Sequence, residues 1–385
     1  MQAERCPQEA TAERLCARKR VAVVHDWLPL YGGAERVLEQ MLSLFPQADL
    51  FTLMESLPPG ERGFLHGKNP HTSLIQRLPF CAKVYRHYFA LMPFAIEQFD
   101  LSSYDIVISS SYAFAKGVLT GPDQLHVCYC HSPIRYAWDL QHQYLARRGR
   151  VSSGIARLLL HYIRLWDTRT ANGVDAFLAN SRFIARRIRK TYGREAQVVF
   201  PPVDVENFTP CADKDDYYLA AARFVPYKRI DLLVQAFARM PHQRLIVVGD
   251  GPEFARIRSR ATPNTTLVGH QSQACLRAYL ERARGFVFAG EEDFGITLVE
   301  AQACGTPVIA FGRGGAREIV QDGKTGVLFP EQTEASILQA IQRFEACRFA
   351  TETLRRNADR FSIPVFRRHF AEAVESAYAQ FAASL

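Results

Sequence analysis

The sequence predicts an α/β protein made of two doubly wound domains, each a parallel sheet with helices on both faces. Its 385 residues exceed what one core usually organises, since domains run to about 100–200 residues. Short apolar runs alternate with helical patterns along the chain. A proline-rich, polar stretch at residues 200–215 interrupts this alternation, which then begins again. Two such sheets would face each other across a cleft lined by the carboxyl ends of their strands.

The first predicted domain occupies residues 21–200. A polar leader at residues 1–20 precedes it and lacks the apolar stretch of a secretion signal, so we expect a cytoplasmic protein. No run of about 18 uncharged apolar residues predicts a membrane-spanning helix. Five apolar runs are predicted as buried parallel strands: residues 21–24, 105–108, 125–129, 174–179 and 198–200.

The second predicted domain occupies residues 201–363 and repeats the same pattern. Its predicted strands are residues 217–222, 245–248, 286–289 and 307–311. The final segment, residues 364–382, places its apolar side chains on one face of a helix. This spacing leaves the packing partner of the helix open, the N-terminal domain being one option.

Cysteine and glycine patterns exclude some function classes. The nine cysteines are odd in number and scattered, without the paired spacing of zinc or thioredoxin-like sites. Gly249 and Gly251 are followed by a proline rather than by the rest of a GxGxxG motif, which disfavours a dinucleotide dehydrogenase. No Asp-x-Asp motif ends a predicted strand, so we expect neither a bound metal nor another cofactor. No nucleic-acid partner is expected.

Arg223 and Lys228 form a candidate phosphate site. Arg223 follows the predicted strand 217–222, and Lys228 precedes the next predicted helix. A planar guanidinium and a compact ammonium can neutralise a diphosphate and stabilise it as a leaving group. An exposed pair of surface cations would give the same spacing.

Glu292 and Glu300 are candidate ligands for two parts of an elongated molecule. On a straight helix they would lie about 12 Å apart, at about 1.5 Å per residue. Paired hydrolase carboxylates lie about 5–9.5 Å apart, so the spacing argues against glycoside hydrolysis, although a loop between them could shorten the distance. For Asp293 we favour helix capping.

Three residues near the predicted helix start, Gly295, Ile296 and Thr297, could present backbone N–H groups to a phosphate. Gly32 and Gly33 follow the first strand. There the backbone could closely approach a phosphate or an acceptor, meaning a second substrate that receives a transferred group, or it could simply make a tight turn.

His131 lies just past the carboxyl end of the predicted strand at residues 125–130 and would point into the cleft. It is a candidate catalytic residue, the alternative being a hydrogen-bonding scaffold. Arg135 and Asp139 follow it and could contact the acceptor, or could pair with each other.

Several motifs follow one another along the chain: Tyr31-Gly32-Gly33-Ala34-Glu35, residues 131–139, Asn180-Ser181, residues 201–204, Arg223 with Lys228, residues 249–252, residues 292–301 and residues 314–318. Taken in this order, they resemble the family 4 retaining glycosyltransferases of GT-B fold over nearly the whole chain. The resemblance implies that Arg223 and Lys228 bind the donor pyrophosphate, Glu292 the sugar hydroxyls and Glu300 the ribose. It also places His131 near the reacting sugar and Gly249 among the donor-binding residues. It further implies a metal-independent reaction in which the acceptor attacks from the face that the nucleotide leaves.

Residues 131–139 resemble those of bacterial mannosyltransferases of O-antigen or exopolysaccharide assembly. This resemblance implies transfer of mannose from GDP-mannose to a lipid-linked oligosaccharide or related glycan. Two alternatives remain: a nucleotide-sugar epimerase or hydrolase on the same scaffold, and a non-catalytic sugar-nucleotide-binding subunit.

Two segments indicate a contact with the inner face of the membrane. Residues 80–99 are rich in aromatic side chains, and residues 155–166 show a helical apolar stripe. Residues 144–194 contain twelve basic side chains and only two acids, Asp167 and Asp175, which suits anionic lipid head groups. A solvated basic surface is the alternative for the charge, and for residues 155–166 core packing is favoured.

Overall fold

A computed structural model describes residues 19–145 and 150–385. These residues form two compact units, one running to Pro202 and including Phe366–Leu385, the other comprising Val203–Val365. Most of the predicted leader, with Cys6 and Cys16, lies outside the described residues. The seven cysteines within them are free. None of the described helices combines the length and the apolar composition needed to cross a bilayer.

The first unit contains a parallel sheet of seven strands in the order β3-β2-β1-β4-β5-β6-β7. The central strands are buried along their whole length because apolar side chains cover both faces, as parallel sheets require. The strands are β1 Val21–His25, β2 Asp49–Thr52, β3 His71–Thr72, β4 Ile106–Ser111, β5 Leu125–Cys130, β6 Ala176–Ala179 and β7 Gln197–Val198.

Helices and short 3-10 turns connect these strands. Ser181 begins the last helix of the series, because its hydroxyl accepts a hydrogen bond of 3.1 Å from the N–H of Ile184. The described α-helices before residue 203 are α1 Gly33–Leu44, α2 Cys81–Val84, α3 Met92–Glu97, α4 Gln141–Leu145, α5 Arg150–Thr170 and α6 Arg182–Tyr192.

The second unit contains a parallel sheet of six strands in the order β10-β9-β8-β11-β12-β13, the strand order of a Rossmann-like doubly wound fold. Its strands are β8 Tyr218–Ala221, β9 Leu245–Val248, β10 Thr265–Gly269, β11 Gly285–Phe288, β12 Val308–Phe311 and β13 Gly326–Phe329. Its helices are α7 Ile230–Ala238, α8 Phe254–Arg258, α9 Gln273–Arg282, α10 Ile296–Ala303, α11 Ala316–Ile319, α12 Glu334–Glu345 and α13 Thr351–Asp359.

The last helix, α14 Ile363–Ala382, packs from Phe366 onward against the first unit. Phe366 and Phe370 are buried there, and both rings lie against Tyr129 of β5. Arg367 adds a hydrogen bond of 2.8 Å to the side chain of Gln40. The apolar stripe of this helix is therefore part of the N-terminal core.

The apolar stripe of residues 155–166 is not simply a core face, contrary to the favoured interpretation of the sequence. Ala156, Leu160, Ile163 and Trp166 point inward. The outward face of α5 also carries large apolar side chains, because helical spacing places them opposite the buried ones. They are Ile155, Leu158, Tyr162 and Leu165, which are 67%, 72%, 46% and 61% exposed.

Candidate functional site

Strands β8 and β11 are neighbours at the middle of the second sheet, where the chain switches from one side of the sheet to the other. Ligands of doubly wound proteins bind beyond the carboxyl ends of the strands at such a switch point. Arg223 follows β8 by two residues, and Glu292 follows β11 by four. The fold therefore brings together two residues that are far apart in the sequence.

A cavity of about 350 Å³ opens at this switch point. Five of the predicted site residues line it: Arg223, Lys228, Glu292, Gly295 and Thr297. The sequence did not identify the other lining residues, which are Ala221, Ala222, Tyr227, Phe288 and Leu298.

Lys228 and Glu292 form an ion pair at this cavity. Their side chains are 16% and 19% exposed, so the pair is largely shielded from water. Burial acts to lower the pKa of Lys228, but the carboxylate of Glu292, with Tyr227 and Asp293, outweighs it and raises the pKa above its usual value. Lys228 is therefore an ammonium at neutral pH, held among the predicted ligands of a diphosphate.

Two aromatic rings help to place this ammonium. Lys228 Nζ lies 5.3 Å from the centroid of the Tyr227 ring and 5.5 Å from that of Phe288. Cations are attracted to ring faces at such distances. Arg223, in contrast, is exposed and forms no ion pair with any residue in the described ranges, so its guanidinium is available to an anion.

The segment containing Glu292 is fixed by the Gly314-Gly315 pair. Glu292 bridges Gly314 in parallel, and the N–H of Gly315 donates to the carbonyl oxygen of Glu292 at 2.9 Å. Gly314 has φ +66°, and a Cβ there would lie 2.1 Å from that oxygen. A larger residue at this position would displace the segment that holds Glu292.

Gly249, predicted to bind the donor, does not line the cavity. Its φ is +135°, and a Cβ there would lie 1.9 Å from the carbonyl oxygen of Ala222. The structure thus gives Gly249 a packing role next to Arg223: it lets two loops meet at the carboxyl end of β8.

Helix α10 begins at Ile296, and Gly295, with φ 107°, occupies the N-cap position. The interpretation of Asp293 as the capping residue is therefore wrong, because the chain turns into the helix two residues later. The first N–H groups of a helix have no intrahelical acceptor. Thr297 brings that end to the cavity, whereas Ile296 is not among the residues lining it.

Glu300 lies one turn further along α10 and is only 6% exposed. It does not line the cavity around Lys228 and Glu292. Its predicted contact with a ribose stays a prediction.

A second group of polar residues lies at the carboxyl ends of β1, β4 and β5, the central strands of the first sheet. His131 Nε2 is 2.9 Å from Ser110 Oγ, which is 3.1 Å from His25 Nδ1. His25 Nε2 in turn is 3.4 Å from a carboxylate oxygen of Glu35. His131 therefore ends a chain of hydrogen bonds through the protein interior.

Glu35 connects this chain to the predicted glycine loop. Its other carboxylate oxygen accepts a hydrogen bond of 3.0 Å from the N–H of Gly32, and Gly33 begins α1. An acid at the third helical position that binds back to the N-cap is a capping arrangement. The two glycines are thus fixed relative to His25.

Burial, with a smaller contribution from His25, lowers the pKa of His131 to about 3. At neutral pH the ring of His131 is uncharged. It can accept or donate a hydrogen bond there but does not act as a cation.

Arg135 and Asp139 do not pair with each other as the sequence allowed. Asp139 instead pairs with Arg187 of α6. Trp138, between them, donates a hydrogen bond of 2.7 Å to Asp167, which also pairs with the buried Lys116. This interior network holds the segment after β5 against α5.

Asp26 is a further buried residue whose role the sequence did not reveal. Its carboxylate accepts hydrogen bonds of 2.5–2.9 Å from four successive backbone N–H groups, those of residues 112–115. Burial raises the pKa of Asp26 despite these bonds. Asp26 thereby fixes the loop that follows β4 and Ser110.

Two family models match consecutive parts of the chain. Residues 31–207 match "Glycosyltransferase Family 4", and residues 206–361 match "Glycosyl transferases group 1". The first match contains Glu35, Ser110 and His131 but not His25, and the second contains the cavity with Lys228 and Glu292.

Similar sequences occur among mycobacterial proteins. The chain is 32% identical over 207 residues to a GDP-mannose-dependent alpha-(1-6)-phosphatidylinositol monomannoside mannosyltransferase of Mycolicibacterium smegmatis, covering 45% of this chain and 53% of that protein. It is 35% identical over 202 residues to a D-inositol 3-phosphate glycosyltransferase of Mycobacteroides abscessus, covering 46% and 45%. The chain thus spans about half the length of these relatives.

Solved structures share the fold over nearly the whole chain. Sucrose-phosphate synthase from Thermosynechococcus elongatus has a TM-score of 0.71 at 18% identity and covers 94% of this chain and 100% of that one. An apo lipopolysaccharide outer core galactosyltransferase has a TM-score of 0.65 at 18% identity and covers 93% and 99%. With two Rossmann-like sheets and both consecutive family matches, the chain belongs to glycosyltransferase family 4 and has the GT-B fold.

Proposed function

We propose that this protein transfers a hexosyl group, mannose from GDP-mannose, to a hydroxyl of a lipid-linked oligosaccharide or related glycan. One observation supports this proposal above the others. A cavity at the switch point of the second sheet contains an exposed arginine, Arg223, and a shielded ammonium, Lys228, beside a carboxylate, Glu292.

In this proposal the two cations stabilise the leaving diphosphate. A departing nucleotide diphosphate gains negative charge, and cations fixed in advance stabilise that charge without having to reorganise. Arg223 provides a planar fork and Lys228 a compact charge. The first N–H groups of α10, next to Gly295 and Thr297, add partial positive charge.

Glu292 has two parts in the proposal. Without donor it holds Lys228 in place, and with donor it accepts hydrogen bonds from sugar hydroxyls while the diphosphate shares the ammonium. A carboxylate acts only as an acceptor, which suits a hydroxyl-bearing ligand. Glu300 would contact the ribose, and Gly32, Gly33, Gly249 and Ile296 would be near the donor.

The donor is proposed from sequence similarity. The Mycolicibacterium smegmatis relative is GDP-mannose-dependent by its name, and it acts on a phosphatidylinositol monomannoside. These words support a GDP-mannose donor and a glycolipid acceptor here. We further propose that the reaction retains the anomeric configuration and needs no metal, with Arg135 and Asp139 near the acceptor.

Release of nucleotide diphosphate tests the proposal. With GDP-mannose as donor, we expect release to require an acceptor and to equal the amount of glycosylated product. Release without acceptor would indicate a hydrolase, and binding without turnover would indicate a non-catalytic subunit. Thermal-shift assays with GDP- and UDP-sugars test the donor, since stabilisation by UDP-sugars alone contradicts the mannose assignment.

We also propose that the first unit docks on an anionic membrane through the outward face of α5. Ile155, Leu158, Tyr162 and Leu165 form an exposed apolar stripe, with the exposed Arg157 beside it. An amphipathic helix of this kind lies in the head-group region with its apolar side chains inserted. The buried side chains of α5 belong to a hydrophobic cluster that also contains Met92 and Ile96 of α3. On α3, Phe94 is 54% exposed.

Co-sedimentation with vesicles tests this docking. We expect binding to vesicles containing phosphatidylglycerol at low salt, and weaker binding after Leu158→Asp. Leu119→Asp is a matched control, since Leu119 is 53% exposed but lies outside α5. Absence of binding to anionic vesicles contradicts the membrane proposal while leaving glycosyl transfer intact.

A further inference from the structure

Ser110 couples the tautomers of two histidines. Its hydroxyl lies between His25 Nδ1, at 3.1 Å, and His131 Nε2, at 2.9 Å. A hydroxyl has one proton, so it donates to one ring and accepts from the other. The position of the proton on one imidazole therefore determines its position on the other.

Glu35 sets the direction of this coupling. An ionised carboxylate only accepts hydrogen bonds, so His25 Nε2, at 3.4 Å from Glu35, carries a proton. An imidazole with one proton has one donor and one acceptor nitrogen, so a proton on Nε2 leaves Nδ1 as an acceptor. His25 then accepts from Ser110 at Nδ1, and Ser110 accepts from the Nε2–H of His131.

This sequence of bonds leaves a lone pair on His131 Nδ1. No residue in the described ranges forms a hydrogen bond with that nitrogen, although Nε2 and the backbone of His131 are both engaged. His131 as a whole residue is only partly buried.

We propose that Glu35, acting through His25 and Ser110, is a positioning residue that keeps His131 in the Nε2–H tautomer, so that Nδ1 accepts a hydrogen bond from a substrate hydroxyl. The assignment of the tautomer stands on this geometry alone. The identity of the hydroxyl, as part of a sugar, rests on the proposed function. The low pKa of His131 agrees with a neutral acceptor at physiological pH.

Glu35→Gln is a near-isosteric change that should reverse the direction of every hydrogen bond from residue 35 through His25 and Ser110 to His131. The side-chain oxygen of the introduced glutamine would still accept from the N–H of Gly32, so its NH₂ group would face His25 and donate to Nε2. His25 would then carry its proton on Nδ1 and donate to Ser110. Ser110 would donate to His131 Nε2, and His131 would present Nδ1–H, a donor where the substrate hydroxyl needs an acceptor.

Nitrogen-15 NMR of histidine-labelled protein observes the tautomer without any need for activity. The His131 signals are assigned with His131→Gln. We expect a protonated Nε2 in the wild type and a protonated Nδ1 in Glu35→Gln. Glu39→Gln on the same helix is the matched control, because Glu39 binds Tyr31 and not the histidines. An unchanged His131 tautomer in Glu35→Gln would overturn the proposal.

Ser110→Ala tests whether Glu35 affects the His131 tautomer through the Ser110 hydroxyl or through a general disturbance of the fold. Without the hydroxyl, Glu35→Gln should have no further effect on the His131 signals, whereas an equal effect in both backgrounds contradicts transmission through Ser110. Thermal unfolding identifies variants that fail to fold. If Glu35→Gln is among them, Ser110→Ala alone decides: it should give a mixture of His131 tautomers, and the wild-type tautomer would overturn the proposal.

Steady-state kinetics test the substrate contact. Glu35→Gln should lower kcat about tenfold, the effect of one misplaced hydrogen bond, while KM for the nucleotide sugar stays within about twofold. A reversed tautomer with unchanged kcat would overturn the contact with substrate. If the wild type transfers no sugar, the proposed function fails, while the NMR result still decides the tautomer.

Discussion

Lys228 donates to the carboxylate of Glu292 across the carboxyl ends of two neighbouring strands, 64 residues apart in the sequence. The pair places one positive and one negative side chain side by side in a cavity that Arg223 also lines. These two side chains match two parts of a nucleotide sugar, because its diphosphate binds cations and its sugar hydroxyls donate hydrogen bonds to acceptors. The pair is therefore both a stabilising contact and a preformed ligand site.

Lys228→Ala should lower kcat/KM about 100- to 1,000-fold, since it removes a fixed charge from the leaving group. Thermal unfolding should still show a folded protein, because Glu292 retains partial access to water. Arg239→Ala is the control, since Arg239 pairs with Glu334 outside the cavity and should leave activity near wild type. Full activity of Lys228→Ala would remove Lys228 from the site.

Glu292→Gln should separate donor binding from turnover. The change frees Lys228, so isothermal titration should find GDP bound as tightly as in the wild type or more tightly. Transfer should nevertheless fall about 100-fold, because the acceptor for sugar hydroxyls is weakened. Glu291→Gln, next in the chain and not a lining residue, is the matched control. Weaker GDP binding in Glu292→Gln contradicts this division of roles.

The sequence predicted the fold well where strands are short, apolar and buried. The runs at residues 21–24, 125–129 and 245–248 form strands within one residue of the predicted ends. It did not identify β2 or the exposed two-residue β3. It also missed β10, whose exposed positions interrupt the apolar pattern at a sheet edge, and β13, which begins with a glycine. Edge position and side-chain exposure depend on tertiary structure, and periodicity does not report them.

The candidate site was predictable only in part, for a related reason. Arg223, Lys228 and Glu292 follow predicted strands directly, so their positions could be inferred. The contact between His25 and Ser110 spans 85 residues and exists because β1 and β4 are neighbours with His25 opposite Ser110. Strand order is a property of the whole sheet, so the local sequence around His25 could not indicate a partner.

EDTA should leave the transfer rate unchanged. In our proposal Arg223 and Lys228 supply the positive charge that a divalent cation provides in other nucleotide-sugar enzymes. The measurement compares initial rates in EDTA with rates in Mg²⁺ or Mn²⁺ after desalting. A rate lost in EDTA and restored by either cation would show that a metal contributes charge at the diphosphate.

Acid should destabilise the first unit through its buried histidines. Burial lowers the pKa of His126 to about 4 and that of His131 to about 3, against about 6.5 in an unfolded chain. Between these values the unfolded chain binds more protons, so the free energy of unfolding falls as pH falls below about 6.5. The expected slope is about 1.4 kcal/mol per pH unit for each histidine.

Urea unfolding of His126→Gln between pH 4.5 and 6 should show a slope of unfolding free energy against pH that is smaller by about that amount. His242→Gln, at an exposed position, is the control and should keep the wild-type slope. An unchanged slope in His126→Gln would mean that His126 binds its proton as readily in the folded protein as in the unfolded chain, despite the complete burial that lowers its pKa.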